Sequence, residues 1–274
     1  MDLTAHGGRM NRDLDRLGAI YYAISGLDGA PVVLLLHGLG SSGDDWAPQL
    51  PALAARYRVL TVDLPGHHRS ARPRGALSIG RMAEEVETLL DRLAIERVHA
   101  VGLSLGGCVA LALTVRAPAR VQSLTLVNTF AHLRPSGLRA AARGTGRALL
   151  ALAAPMSLVA RYVAHEAFPR PDQAALRNAA RARLAANPRR HYLACLAALM
   201  RFDVRHRLAE IRCPTLVVAG ARDVTVPLAV KEALARSIAG ARLCVVADSG
   251  HVTPFDQADA LNRLLAEHLA TAGA

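Results

Sequence analysis

The chain has 274 residues, of which 52% are hydrophobic and 20% are charged. This composition predicts a folded protein with a sizeable core and argues against a disordered chain. The longest purely aliphatic run, 32–36, is far too short to cross a membrane, and the N-terminus lacks a charged-then-apolar signal pattern. The four cysteines have neither paired nor metal-ligand spacing, which indicates reduced thiols. We therefore expect a cytoplasmic protein.

The net charge of +11 raises the question of nucleic acid binding. Lys231 is the only lysine, so all but one of the 33 basic residues are arginine, a bias that a GC-rich genome produces without any function. No recognition motif, aromatic stacking platform or lysine-rich tail accompanies the charge. The sequence therefore predicts neither a nucleic acid nor a membrane as a partner.

Apolar segments of strand length alternate with longer segments of helical period along the chain. Strands are predicted at 19–25, 31–37, 58–63, 98–103, 121–127, 214–219 and 242–247. Helices are predicted at 78–93, 105–116, 227–238 and 255–269, the first with Ser78 as its N-cap. Strands that are apolar almost throughout are typical of parallel sheets covered on both faces. The pattern thus predicts an α/β fold with a mainly parallel central sheet and helices on both faces.

The alternation is interrupted at 130–205, between two predicted strands. This segment is rich in Ala, Leu and Arg, has the period of several helices and is broken by five prolines. We predict that it forms a helical cap over the strand ends, and that 1–129 and 206–274 form the core. Leu149, Leu150, Met156 and Phe168 are candidates for the apolar walls of a substrate site.

A strand, a sharp turn and a helix start meet around Ser104, in the sequence Gly-Leu-Ser-Leu-Gly at 102–106. A serine on such a strained turn presents its hydroxyl clear of the sheet, and the flanking glycines are needed because side chains would collide with the neighbouring strand and helix. The pattern occurs by chance in many chains, but its position between an apolar strand and a helix makes it specific. We predict that Ser104 is a nucleophile.

A serine nucleophile needs a base and an acid that orients the base. Of the eleven histidines, His251 is the one that lies between the last predicted strand and the last predicted helix. Asp223 ends the strand after the insertion, which makes it the preferred acid. The equivalent position after the strand before the insertion holds Asn128, which cannot carry the charge. Asp248 is so close to His251 in sequence that it would need an awkward loop to reach the ring.

The oxyanion of a tetrahedral intermediate requires two preplaced donors. One is predicted to be the backbone N–H of Leu105, the residue after the nucleophile. The other is predicted to be the N–H of Leu39, in a loop where glycines let the backbone approach the substrate. Gly38, Leu39 and Leu105 are therefore the predicted oxyanion and substrate-binding positions.

These residues, in the order nucleophile, acid and histidine, resemble the α/β-hydrolase superfamily from about residue 19 to residue 269. The segment 61–70 looks like the loop D-x-P-G-x-G-x-S of that family, but His68 stands where glycine is usual, which leaves open a different bend. The segment 213–223 looks like its acid-bearing strand. The resemblance implies hydrolysis of a carboxylic ester through an acyl-enzyme, without a metal or organic cofactor.

Two subfamily resemblances compete. The segment 75–79, the glycine-flanked serine and the arginine-bearing insertion are similar to the carrier-protein methyl ester esterases of biotin synthesis. The segment 127–129, with the same serine motif, resembles 3-oxoadipate enol-lactonases. An enol-lactone, an acyl thioester and the C–C bond of a vinylogous diketone all stay open as targets of the same three residues. A non-catalytic ligand receptor is a further alternative, against which the intact set of residues argues.

The predicted cap carries thirteen arginines against three acidic residues. Arg139, Arg143 and Arg147 recur every four residues and would share one helical face. Such a lid would steer an anionic substrate, or one carried on an acidic carrier protein, towards the site. The alternative is that these arginines lie on a solvent-exposed helix face and reflect only the codon bias of a GC-rich genome.

Overall fold

The computed structural model describes residues 20–72, 75–133, 145–146 and 149–272. These residues contain a seven-stranded sheet with the order β1-β3-β2-β4-β5-β6-β7, in which every neighbouring pair is parallel except β1 and β3. The strands are β1 Tyr22–Gly26, β2 Val32–Leu36, β3 Arg58–Val62, β4 Val98–Leu103, β5 Val121–Val127, β6 Thr215–Gly220 and β7 Arg242–Val246. All seven predicted strands and the mainly parallel α/β fold are confirmed.

Helices cover both faces of the sheet because successive side chains of each strand point to opposite sides. They are α1 Leu50–Ala54, α2 Ile79–Arg92, α3 Leu105–Arg116, α4 Met156–Ala167, α5 Ala174–Ala185, α6 Arg189–Met200, α7 Leu228–Arg236, α8 Thr253–Asp256 and α9 Ala258–Ala272. Leu34 and Leu36 of β2 pack with α2 and α3 in one apolar cluster. Val33 and Leu35 of the same strand point to the opposite face of the sheet and pack with α1 and α9 in a second apolar cluster.

The helix predictions are confirmed with one exception. Ser78 is the N-cap of α2, and its hydroxyl accepts a hydrogen bond from the backbone N–H of Arg81 at 3.1 Å. The single helix predicted at 255–269 is wrong. The backbone leaves the helical conformation at Gln257, where φ is −141°, and this divides the segment into α8 and α9.

The segment between β5 and β6 contains α4, α5 and α6, which we call the cap helices. Each begins at a proline-containing turn, with Pro155 before α4, Pro171 in the short 3₁₀ turn before α5, and Pro188 before α6. Proline is compatible with the first turn of a helix but not with its interior. The cap helices share a small apolar cluster of their own, which includes Val159, Ala164 and Tyr192.

None of the helices in the described part of the chain is long and apolar enough to cross a membrane.

Candidate active site

Ser104 lies between the end of β4 and the start of α3, in a strained backbone conformation with φ at 52°. A Cβ atom at Gly102 would overlap the carbonyl oxygen of Gly106, and one at Gly106 would overlap the carbonyl oxygen of Leu36. Both positions therefore require glycine. The Thr129 hydroxyl also fixes the turn by donating to the Ser104 carbonyl at 2.6 Å. Non-glycine residues at positive φ are uncommon and cluster at functional sites.

Asp223 lies three residues beyond β6 and is buried. Its Oδ1 accepts backbone hydrogen bonds from Thr225 at 2.8 Å and Val226 at 3.0 Å, which fix the carboxylate. Burial by itself raises the pKa of Asp223, but hydrogen bonds and the charges of His251 and Lys231 outweigh it and hold that pKa at about 2. The carboxylate is therefore ionised at neutral pH.

His251 follows β7 and meets the same carboxylate. Its Nδ1 lies 3.0 Å from Oδ2 of Asp223. With Nδ1 donating to that oxygen, Nε2 is left without a proton and is able to accept one. Asp248 forms an exposed ion pair with Arg222 at 2.6 Å, so it is engaged elsewhere.

Asn128, which cannot serve as the charged acid, is a fully buried residue whose side chain forms several hydrogen bonds. Its Oδ1 accepts from the backbone N–H of Gly220 at 2.7 Å and from Nζ of Lys231 at 3.0 Å. Its Nδ2 donates to the carbonyl oxygens of Gly250 and His251 and to the Thr253 hydroxyl. One side chain thus ties the end of β6 to the loop that carries His251. Only its position after a buried strand could have indicated this role.

The loop after β2 brings Gly38 and Leu39 beside Ser104. A Cβ atom at Gly38 would stand 3.8 Å from Cβ of Ser104, and Gly38, Leu39 and Ser104 line the same cavity. Leu105 is the first residue of α3, where backbone N–H groups have no acceptor within the helix. Two backbone segments with the predicted donors therefore flank the serine.

His37 fixes the position of that loop. Its Nδ1 lies 2.8 Å from the Gly38 carbonyl oxygen, and the Leu64 backbone N–H donates to its Nε2 at 2.8 Å. Burial lowers the pKa of His37 to about 4, which keeps the ring neutral, with one nitrogen as donor and the other as acceptor.

The segment 61–70 keeps the backbone conformation for which glycine is suited, although it lacks the usual glycine. His68 has φ at 43°, in the left-handed region that favours glycine. The buried Asp63 carboxylate stabilises the segment by accepting from the backbone N–H of Gly43 at 2.8 Å and from Nε of Arg69 at 2.6 Å.

A cavity of about 520 Å³ opens above Ser104 and His251. Its walls are largely apolar and come from both the sheet edge and the cap helices, with Leu184, Leu199, Val226 and Phe255 among them. Of the four predicted wall residues, Leu149 and Phe168 line the cavity. Leu150 and Met156 do not line it, and both pack against the apolar cluster of the cap helices.

The charged side chains on the described cavity wall are largely paired. Arg183 forms an ion pair with Asp45, and Glu166 accepts a hydrogen bond from the Tyr162 hydroxyl at 2.9 Å. Arg139, Arg143 and Arg147, which motivated the hypothesis of anion steering, lie outside the described residues.

Comparison with known proteins places the chain in a family. A family model of the alpha/beta hydrolase fold matches residues 31–258. The chain belongs to the α/β-hydrolase family. A RutD protein of Azorhizobium caulinodans, to which a carbamate hydrolase activity is ascribed, is 34% identical over 95% of this chain and 96% of its own length.

Two further relatives are enol-lactonases. The 3-oxoadipate enol-lactonase 1 of Acinetobacter baylyi is 31% identical over 85% of this chain and 86% of its own. The enol-lactonase structure from Burkholderia xenovorans is 30% identical, with a TM-score of 0.84, and covers 92% of this chain and 96% of its own. The protein is therefore a hydrolase. The resemblance to carrier-protein methyl ester esterases stays a prediction.

Proposed function

We propose that the protein hydrolyses a carboxylic ester or lactone through an acyl-enzyme, with Ser104 as nucleophile, His251 as base and Asp223 as the acid that orients the base. The observation that carries this proposal is the 3.0 Å contact between Nδ1 of His251 and Oδ2 of Asp223, on the wall of the cavity that also exposes the strained Ser104. This combination needs three loops at one sheet edge and has no evident structural purpose.

In the proposed mechanism, Nε2 of His251 accepts the proton from the Ser104 hydroxyl as Oγ forms a bond to the acyl carbon. The negative charge moves to the carbonyl oxygen, where the backbone N–H groups of Leu39 and Leu105 stabilise it. The bond to the leaving oxygen then breaks, and His251 donates its proton to that oxygen. A water molecule, deprotonated by His251, attacks the acyl-enzyme, and the acid is released as Ser104 regains its proton.

The cavity favours an acyl group of moderate size without charge. Its apolar lining leaves few unpaired polar groups to bind a charged substituent, since Arg183 is already paired with Asp45. A cavity of about 520 Å³ is also much larger than a small carbamate requires. Carbamate hydrolysis is the second candidate, favoured by the 34% identity with the RutD protein along nearly the whole chain.

The direct test is hydrolysis of p-nitrophenyl esters by the wild type and by Ser104→Ala. We expect the substitution to lower kcat by about 10⁵-fold or more, because all covalent catalysis is lost. Ser237→Ala, at an exposed position beyond α7, is the control and should retain full activity. Survival of activity in Ser104→Ala would contradict the assignment.

A substrate panel then separates the candidates. It should contain short and long neutral p-nitrophenyl esters, an anionic ester, an enol-lactone, an acyl thioester and a carbamate. We expect the highest kcat/KM for a neutral ester or lactone with an apolar acyl group. A preference for the carbamate would favour the second candidate, and a preference for the anionic ester would favour steering by the arginine-rich cap.

A further inference from the structure

The only lysine of the chain, Lys231 on α7, is fully buried. Burying an ammonium group is costly unless it is paired and hydrogen-bonded. Its Nζ lies 3.0 Å from Oδ2 of Asp223, 3.0 Å from Oδ1 of Asn128 and 3.1 Å from the carbonyl oxygen of Gly220. A buried charge with a complete set of partners beside a proposed catalytic acid calls for an explanation beyond packing.

The hydrogen-bond geometry around Lys231 favours its charged form. An ammonium group has three donors and no acceptor, and three acceptor oxygens surround it. A neutral amine could donate to only two of those oxygens and would turn its lone pair towards the third. Burial lowers the pKa of Lys231, and the Asp223 carboxylate opposes that shift by stabilising the cation.

Lys231 and His251 contact the same oxygen. Oδ2 of Asp223 is 3.0 Å from Nζ of Lys231 and 3.0 Å from Nδ1 of His251. The lysine and aspartate charges cancel while the imidazole is neutral, so a proton on His251 gives the three groups a net charge of +1. Without the lysine, the same proton would bring the net charge from −1 to zero.

The other charged groups near the cluster are more distant from this oxygen. Asp256 of α8 accepts from the Ser249 hydroxyl at 2.8 Å and from the Gly250 backbone N–H at 2.6 Å, and burial raises its pKa. Arg170 acts electrostatically on Asp256. The Arg222–Asp248 pair is exposed. Among these groups, only Lys231 and, when it is protonated, His251 bring a positive charge into direct contact with Asp223.

We propose that Lys231 is a positioning residue that acts on His251 through Asp223: it holds the carboxylate ionised and in place, and it disfavours the imidazolium form. The inference rests on the proposed function of these residues. Its consequence is a histidine that stays neutral, and so remains able to accept the Ser104 proton, in more acidic solution than a neutral residue at position 231 would allow.

Because the chain has one lysine, the natural protein can be tested without substitution. Lysine labelled with ¹³C at Cε gives a single NMR signal, whose chemical shift reports the charge on Nζ. We expect a charged ammonium throughout the pH range of activity, and an inflection at the midpoint of the acid limb of kcat/KM. The inflection should vanish in His251→Gln. An uncharged amine, or no inflection, would overturn the proposal.

The second test is the pH dependence of kcat/KM for a p-nitrophenyl ester, whose acid limb reports the base in the free enzyme. Lys231→Met should move the midpoint of that limb upward by about one pH unit or more, because a positive charge beside the carboxylate is lost. Lys231→Arg, which retains the charge, should restore the wild-type midpoint. Arg236→Met removes a positive charge from the exposed face of the same helix and should change nothing.

A folded Lys231→Met protein with the wild-type midpoint would refute the role of Lys231, and if that variant does not fold, the NMR titration of the natural protein decides. Failure of this inference differs from failure of the proposed function. If only this inference fails, Ser104→Ala is inactive and Lys231→Met keeps the wild-type midpoint of the acid limb. If the proposed function fails, Ser104→Ala still hydrolyses the ester.

Discussion

The carboxyl edge of the sheet and the cap helices contribute to one cavity but are held in place by different forces. At the sheet edge, buried polar groups have specific partners, such as the five hydrogen bonds of Asn128 and the four donors around the Asp223 carboxylate. The cap helices are held mainly by apolar packing, in a small cluster of their own and, for α6, against the main core. Apolar packing tolerates substitution of similar volume, whereas a buried polar network does not.

This difference separates the reaction from the choice of substrate. A proposed nucleophile, base and acid that are fixed by directional bonds can stay constant while the apolar walls above them change. The enol-lactonases and the RutD protein, with about a third of their residues identical to this chain, carry different substrate names. The following predictions test whether the two regions have the separate roles that their packing suggests.

After Ser104→Ala, the largest effect is expected from Asp223→Asn at the sheet edge. An amide at this position removes the charge that holds His251 in the productive tautomer, so kcat should fall by about 10⁴-fold with little change in KM. Asp248→Asn, which alters an exposed ion pair three residues before His251, is the matched control and should keep wild-type kcat. Equal losses in both variants would contradict the assignment of the acid. Steady-state kinetics with one p-nitrophenyl ester measures both.

Acid should destabilise the region below the cavity. Burial lowers the pKa of His37 to about 4 and that of His67 to about 3, whereas both have their ordinary pKa of 6.5 in the unfolded chain. The unfolded state therefore binds more protons between about pH 6.5 and pH 4. The free energy of unfolding should fall across this range by on the order of 3 kcal/mol for each histidine.

Urea denaturation at about pH 7 and about pH 4.5 measures this loss. His67→Leu should reduce the difference in free energy of unfolding between the two pH values by about the amount expected for one histidine. His165→Gln, at an exposed position on α4 in the cap, should leave the difference unchanged. If His67→Leu also leaves it unchanged, the ring of His67 is not kept neutral by burial.

Two buried asparagines allow a direct comparison of the regions. Asn128→Ala removes a hydrogen-bond partner from Gly220, from Lys231 and from the His251 loop, so the free energy of unfolding should fall by about 2 kcal/mol or more and kcat should fall as well. Asn187, between the cap helices α5 and α6, donates to the Gly40 carbonyl oxygen at 2.8 Å. Asn187→Ala should raise KM more than it lowers kcat. The reverse pattern would show that the cap fixes the catalytic geometry.

The smallest effect is expected in the cap wall. Phe168 lines the cavity and packs edge-to-face on Phe255 with ring centroids 6.1 Å apart. Phe168→Ala enlarges the site, so kcat/KM for a long-chain ester relative to a short one should rise by about 10-fold. Leu158→Ala, on a more exposed part of α4, should leave the ratio unchanged. An equal drop for all chain lengths in Phe168→Ala would argue against a role in selectivity.

Local pattern explains why the fold was predictable. Strands such as 98–103 are apolar except for His99, and the helical period of α2 with its Ser78 cap can be recognised within one segment. The wrong prediction of one helix at 255–269 has its cause outside that segment. Asp256 accepts hydrogen bonds from the Ser249 hydroxyl and the Gly250 backbone N–H, and α8 ends at this residue although the apolar period of the sequence continues.

The strands, the mainly parallel character of the sheet and the three loops that carry Ser104, Asp223 and His251 were predictable from the sequence alone, because strand period and turn chemistry are local properties. Only the tertiary structure shows what surrounds those residues. It brings Asn128 and the buried Lys231 together, places Lys231 against the Asp223 carboxylate, and makes Phe168 rather than Met156 a residue of the cavity wall. These depend on contacts between residues far apart in the chain. No spacing in the sequence encodes which buried polar groups will meet.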